Sequence, residues 1–362
     1  MTSTAPFLVF FIGAFLAGLT SGRIRALVML LVPIVGALNL LGMPQGTVWE
    51  LRLFDYQLTP VVVDRLSLLF GYLFHLATFI ALLYSLHLRD TMQQISGLLY
   101  AGSAVGAVFS GDLLSLFVFC ELMAVSSVFL IFATRTEQAV RSGLRYLLFQ
   151  VVAGVMLLAG TLAQLQGTGS LIFEAMVLEG TAPWLIFLAF GIKAGFPFLH
   201  TWLVDAYPEA TPTGTVFLSA FTTKVAIYAL ARGFPGTELL VYIGAVMTCF
   251  PIYYAVIEND LRRVLTYSMI NQLGFMVVGI GIGTELAING AVAHAFNDVL
   301  FKGLLMMSMG AVLLRTGRIN GSDLGGLYKS MPITTTLCII GAASISAFPL
   351  FSGFVSKSMV MS

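Results

Sequence analysis

The sequence predicts an all-α integral membrane protein of about twelve transmembrane helices. Three observations predict it. Hydrophobic residues make up 58% of the 362 and charged residues only 10%, where a soluble domain carries about 25% charge. Mean hydropathy is +0.96. Apolar runs of about 20 residues, enough to cross a bilayer, follow one another from end to end.

The predicted helices cover about 6–21, 26–42, 66–86, 96–111, 113–133, 144–165, 183–199, 213–231, 238–257, 264–283, 287–314 and 332–360. Met1-Thr2-Ser3-Thr4 has no basic region ahead of the first apolar run, so that helix is expected to stay uncleaved rather than act as a secretory signal. Connections are short. The longest, Met43 to Arg65, holds Glu50, Arg52, Asp55 and Asp64 and is expected to form a small hairpin outside the membrane. Gly102 and Gly106 make a GxxxG step on the fourth helix, which favours close packing. Asp112 opens the fifth helix and is expected to cap it.

Basic residues set the orientation. Loops after odd-numbered helices hold eleven of the eighteen Lys and Arg, and loops after even-numbered helices hold three, Arg52, Arg65 and Arg232. The N-terminus is therefore expected to face away from the cytoplasm. A net charge of +1 without a Lys/Arg cluster gives no reason to expect nucleic acid as a partner. Cys120, Cys249 and Cys338 sit far apart in apolar runs, without disulfide or metal spacing. No nucleotide, metal or redox-cofactor motif is present, so neither a cofactor nor a catalytic centre is expected.

The four basic residues left over are Lys193, Lys224, Lys302 and Lys357, and all fall within apolar spans. A charge at a helix centre costs roughly 2.5–3.5 kcal/mol on the insertion scale. Four uncompensated charges would cost on the order of 10 kcal/mol. Lysine is the cation that exchanges a proton most readily on burial, whereas arginine stays charged. Glu121, alone in the fifth helix, needs a counter-charge from another helix, and Lys193 is the first choice. On the eleventh helix His294, Asp298 and Lys302 recur at i, i+4 and i+8, which stacks them on one face about 6 Å apart. Asn297 lies beside them. Gly195 and Pro197 follow Lys193, and Pro349 and Gly353 precede Lys357. Broken helices beside ionisable residues mark ion sites in transporters.

Simpler roles fit the same residues. Glu121 also reads as a static ion-pair partner, His294 as a helix-contact histidine, Asp298 as a mere neutraliser of Lys302, and Lys357 as an interfacial residue. His75 reads as packing. His200, Asp205 and Glu209 read as capping or exposed linker residues.

Ile192-Lys193-Ala194-Gly195-Phe196-Pro197-Phe198-Leu199-His200-Thr201-Trp202-Leu203, then Tyr207-Pro208-Glu209-Ala210-Thr211-Pro212 and Phe221-Thr222-Thr223-Lys224-Val225, resembles the antiporter-like membrane subunits. These comprise Mrp-type cation/proton antiporter subunits, the large membrane subunits of respiratory complex I, and membrane-bound hydrogenase relatives. Gly111 to Glu121 is similar to the family's fifth-helix motif, His294 to Lys302 to its eleventh, and Gly353 to Lys357 to its broken twelfth. The likeness covers most of the chain from about residue 60, and the pattern is nearest to the D-type member of the Mrp antiporters.

The resemblance implies an inverted-repeat fold: an N-terminal three-helix region at 1–95, a first five-helix repeat at 96–232, and a second repeat at 238–362, truncated after the twelfth helix. A trace of duplication is visible, with Asp112-Leu113 matching Asp260-Leu261, Gln150 matching Asn297, and Phe196-Pro197 matching Phe348-Pro349. It also implies that Glu121 and Lys193 form a switchable pair, that Lys224 connects, and that His294, Lys302 and Lys357 carry the proton onward. Two departures stand out. Asp298 occupies the place of a second family histidine, and the chain stops at Ser362, where family members continue for at least two more helices. A fragment, or a half-channel that borrows its wall from a partner, is expected.

The function implied is a proton-translocating component of a multi-subunit Na⁺/H⁺ antiporter in the cell membrane, working with other membrane subunits. The rivals are a proton-pumping component of complex I or a hydrogenase relative, a non-conducting assembly component, and an independent solute transporter.

Overall fold

The computed structural model describes residues 4–53 and 56–362. Asp55 and Met1 to Ser3 lie outside the described residues. The chain forms two compact units, Met1–Lys193 and Ala194–Ser362.

The first unit begins with α1 (Pro6–Leu19) and α2 (Gly22–Leu41), followed by strands β1 (Gly46–Leu53) and β2 (Tyr56–Val63). The expected hairpin is therefore present, an antiparallel pair running from Gly46↔Val63 to Leu53↔Tyr56. Then come α3 (Arg65–Tyr84), α4 (Thr91–Phe109), α5 (Leu113–Phe132), α6 (Glu137–Thr168) and α7 (Thr181–Ala194). Asp64 and Ser67 close a capping box at the start of α3. Asp112 caps α5, accepting from the Ser115 amide at 2.7 Å. Its second oxygen accepts the Thr59 amide at 2.8 Å, so the cap also anchors the hairpin. The GxxxG step works by admitting phenylalanine side chains: a Cβ at Gly102 would overlap the Cβ of Phe10 in α1, and one at Gly106 would overlap the ring of Phe119 in α5.

The second unit holds α8 (Thr201–Ala206), α9 (Pro212–Ala220), α10 (Thr222–Gly233), α11 (Glu238–Ile257), α12 (Leu261–Ile282) and α13 (Glu285–Thr316). It ends with α14 (Leu327–Ser330), α15 (Pro332–Ile345) and α16 (Ser352–Met361). Across both units, eight helical segments of the described residues are long and apolar enough to cross a membrane, and three more are shorter and apolar. The eighth predicted span is interrupted at Phe221, between α9 and α10. The twelfth divides into α15 and α16.

Duplication shows in the elements themselves. Both α6 and α13 have 32 residues. Thr136 caps the first and Thr284 the second, and each helix ends on a left-handed glycine, Gly169 at φ 72° and Gly317 at φ 69°. Isolated bridges tie Asp112 to Ile172 and Asp260 to Asn320. All these pairs share an offset of 148, from Asp112 to Asp260 and from Gly169 to Gly317. That register corrects one expectation: Gln150 corresponds to Asp298, not to Asn297. The breaks correspond too, at an offset of 152. Gly195 (φ 76°) and Phe198 (φ 68°) follow α7, as Ala347 (φ 57°) and Leu350 (φ 76°) follow α15.

Candidate functional site

The predicted residues fall into two clusters, one in each unit. Helix breaks explain much of their placement. The last carbonyls of a helix lack intrahelical donors and carry the negative end of its dipole. Lys193 lies in the last turn of α7. Lys224 donates to the Ser219 carbonyl at 2.9 Å, in the last turn of α9. Lys357 donates to the carbonyl of Ile345, the last residue of α15, at 2.8 Å. For Lys224 and Lys357, breaking a helix inside an apolar span thus creates an acceptor for the ammonium.

In the first unit, Lys193 is 3% exposed and donates to Gln150 Oε1 on α6 at 3.0 Å. Glu121 packs its carboxyl against Gly154 of the same helix, where a Cβ would overlap Oε1. That oxygen is buried and has no hydrogen-bond partner among the described residues. Gln150 and Gly154 are four residues apart, hence neighbours on one face of α6. Lys193 and Glu121 therefore address successive turns of one helix face and act on each other electrostatically. Lys193 is thus the counter-charge of Glu121 at a distance, while Gln150 is its hydrogen-bond partner. Glu121, half-buried in this chain, holds its carboxyl one turn along.

In the second unit, Lys224 and Asp298 form an ion pair at 2.7 Å, both fully buried. Asp298 thus pairs with Lys224, which corrects the reading of Asp298 as neutraliser of Lys302. The i, i+4, i+8 face of α13 is present as expected, and His294, Asp298 and Lys302 are all fully buried. Each reaches a partner on another element rather than its neighbour on the stripe. Lys302 donates to Ser268 Oγ at 2.9 Å and approaches the Leu265 carbonyl at 3.3 Å. A serine hydroxyl is able both to accept from an ammonium and to donate to a neutral amine. Asn297 donates to the Ser352 carbonyl at 3.0 Å.

His294 Nε2 faces Gln272 Oε1 at 3.2 Å, and its Nδ1 faces Ser356 Oγ at 2.9 Å. Gln272 gives its amide nitrogen to Asn271, which turns Oε1 toward the imidazole. The Ser356 hydroxyl at Nδ1 also reaches the Ser352 carbonyl at 3.2 Å. Lys357 is half-buried, with its ammonium 4.8 Å from the Phe275 ring.

Ser268, Gln272 and Ser356 carry no charge and did not stand out in the sequence. Gln150 entered only as a marker of duplication. The one signal that could have promoted Gln150 is its 148-residue correspondence with Asp298.

Histidines and carboxylates outside the two clusters have structural surroundings. His75 is buried, bonds the Gly71 carbonyl through Nδ1 at 2.7 Å and packs against Gly36. His200 packs against Phe250 with ring centroids 4.7 Å apart and does not cap α8. Asp205 lies within α8, and Glu209 approaches Arg263 at 3.7 Å.

Arg262, expected in an interhelical loop, is instead buried at the start of α12. It donates to the Ala210 carbonyl at 2.6 Å and contacts the Thr215 hydroxyl. It therefore holds the turn between α8 and α9. Arg262→Ala leaves those oxygens without a donor, and hydrogen bonds to a charged group are worth about 1.5–3 kcal/mol each. A drop in melting temperature of the purified chain, larger than that for Arg263→Ala, is the expected result.

Similar proteins give this geometry a family. The family described as NADH:quinone oxidoreductase/Mrp antiporter, TM, matches residues 110–362. The chain belongs to that family. Among relatives, the D-type Na(+)/H(+) antiporter subunit of Alkalihalophilus pseudofirmus is 34% identical over 272 residues, covering 70% of this chain and 55% of the relative. The A-type antiporter subunit of the same organism is 33% identical over 338 residues, covering 83% and 42%. Hydrogenase-4 component B of Escherichia coli is 28% identical over 288 residues, covering 72% and 43%. The chain thus spans about half the length of these relatives.

Solved structures share the fold. A chain of the archaeal membrane-bound sulfane sulfur reductase superposes with a TM-score of 0.89 at 22% identity, covering 98% of this chain and 80% of that one. A chain of the Mrp complex from Dietzia sp. gives 0.81 at 23%, covering 99% and 69%.

Proposed function

We propose that this chain is a proton-translocating component of a multi-subunit monovalent cation/H⁺ antiporter, with Na⁺ as the coupled cation. Glu121, Lys193, Lys224, His294, Asp298, Lys302 and Lys357 carry the proton. The observation that supports this most is that four lysines lie inside apolar helical segments with their ammonium groups on polar partners. Lys193 meets a glutamine and Lys302 a serine, partners that do not fix the amine's charge as a carboxylate would. A structural lysine needs only its nearest carboxylate, whereas an amine that loads and unloads needs a site tolerable in both states.

Proton entry on one cluster and release from another would be coupled by the charges of Glu121 and Asp298. Other membrane subunits complete the complex, which sits in the cell membrane with this N-terminus away from the cytoplasm. The likeness to hydrogenase-4 component B supports a second reading, in which redox chemistry elsewhere in a respiratory complex drives the same path.

Lys193→Ala in the intact complex tests the proposal. Cation/proton exchange in everted vesicles is expected to fall to background while the complex assembles in normal amount. Exchange at the wild-type rate would leave the lysines a packing role. Proton uptake that follows electron donors and ignores Na⁺ would favour the respiratory reading.

A further inference from the structure

A basic cavity of about 620 Å³ lies at one end of the first unit, where α1 ends, α2 begins, α3 ends and α4 begins. Arg23, Arg25 and Arg89 line it, with Ser21, Gly22 and Thr91. Arg25 is committed to the protein: its guanidinium donates to the Thr20 carbonyl at 2.8 Å and to Thr91 Oγ1 at 2.5 Å. Arg23 and Arg89 are both exposed, and no carboxylate pairs with either among the described residues. Nearby Asp90 is occupied by its own helix cap and by Arg135.

Ser21 makes no side-chain cap on α2, and the start of that 20-residue helix, Ser21 to Arg23, lines the cavity together with Arg89. A helix start and paired arginines favour the same ligand, a phosphate oxyanion. The rim decides its source. Leu19, Ile24, Leu27 and Leu83 are more than half exposed around the cavity, and the outer face of α2 continues apolar through Leu31, Val35 and Leu38. A free phosphate has no use for that surface. A diacyl chain does.

We propose that this cavity binds the phosphodiester headgroup of an anionic membrane lipid, with Arg23 and Arg89 on the phosphate and the acyl chains along α2. The site uses none of the lysines of the proton path and stands whether or not these lysines conduct.

The test is native mass spectrometry of the full chain in detergent, titrated with phosphatidylglycerol or phosphatidylcholine. Wild type is expected to retain phosphatidylglycerol, and the double variant Arg23→Ala/Arg89→Ala to lose about 30-fold in affinity, from the contribution expected of two cations near a headgroup. Arg23→Lys/Arg89→Lys is expected to keep most of the binding. Equal retention of phosphatidylcholine, or undiminished binding by the alanine variant, overturns the proposal. Displacement of the lipid by millimolar inorganic phosphate overturns the lipid assignment in favour of a free-anion site. If retention appears only without partner subunits, the cavity is a protein contact, and the proposal fails.

Discussion

Lys224→Met is expected to destabilise the second unit by about 3–5 kcal/mol, because it strands Asp298 as a buried, unpaired charge. The pair is 2.7 Å apart with no solvent exposure on either side, so bulk water cannot make up the loss. Asp298→Leu alone is expected to cost a similar amount by stranding the ammonium. The informative combination is the double variant Lys224→Met/Asp298→Leu. Replacing a buried ion pair by apolar side chains of similar volume is often neutral or stabilising, so the melting temperature is expected to recover.

Exchange is not expected to recover, because neither replacement carries a proton. Thermal unfolding of the three variants, together with vesicle exchange, separates the roles. A double variant that is stable and transports would reduce the pair to a packing device.

The second large effect is expected at Gln150. Gln150→Leu removes the 3.0 Å acceptor of the Lys193 ammonium. A hydrogen bond to a charged group contributes about 1.5–3 kcal/mol, and the ammonium of Lys193 loses that support. Exchange is expected to fall accordingly. Gln150→Asp acts the other way, since it gives Lys193 a permanent carboxylate of the kind Lys224 has in Asp298. The ammonium then faces a carboxylate instead of an amide oxygen, and release is expected to become the slow step. Both substitutions are expected to lower exchange, Gln150→Leu with loss of proton loading and Gln150→Asp with loading intact. Single-turnover proton uptake and release in vesicles distinguishes them, and identical loading in the two variants would discount Gln150 as the setter of that site.

Helix positions were legible in the sequence because apolar runs of bilayer length leave little alternative. Capping by Asp112 and the hairpin after Met43 were legible for a similar local reason: side-chain oxygens and short polar connections act on their immediate neighbours. The partner of each charge was not. Asp298 stands four residues from Lys302, and proximity along α13 suggested they belong together. The lysine that reaches the carboxylate instead arrives from α10, and no one-dimensional pattern encodes that crossing. Gln150 was passed over because an uncharged amide in an apolar run raises no alarm in a search for charges. Arg262 was counted with the loops although it begins α12, since a cap at Asp260 shifts the helix start by a few residues. The glycine at position 154 carried no signal either, because its importance lies in what it leaves empty.

The corners after α7 and α15 turn through left-handed residues that are not all glycine. Phe198, Ala347 and Leu350 occupy that region without glycine's freedom, at a cost on the order of 1–3 kcal/mol each. Such corners behave as stiff elbows, not pivots, since a chain meant to bend there would place glycine at each of these points. Under the proposed function, reorientation then falls to the four-carbon lysine side chains and not to the backbone of these corners.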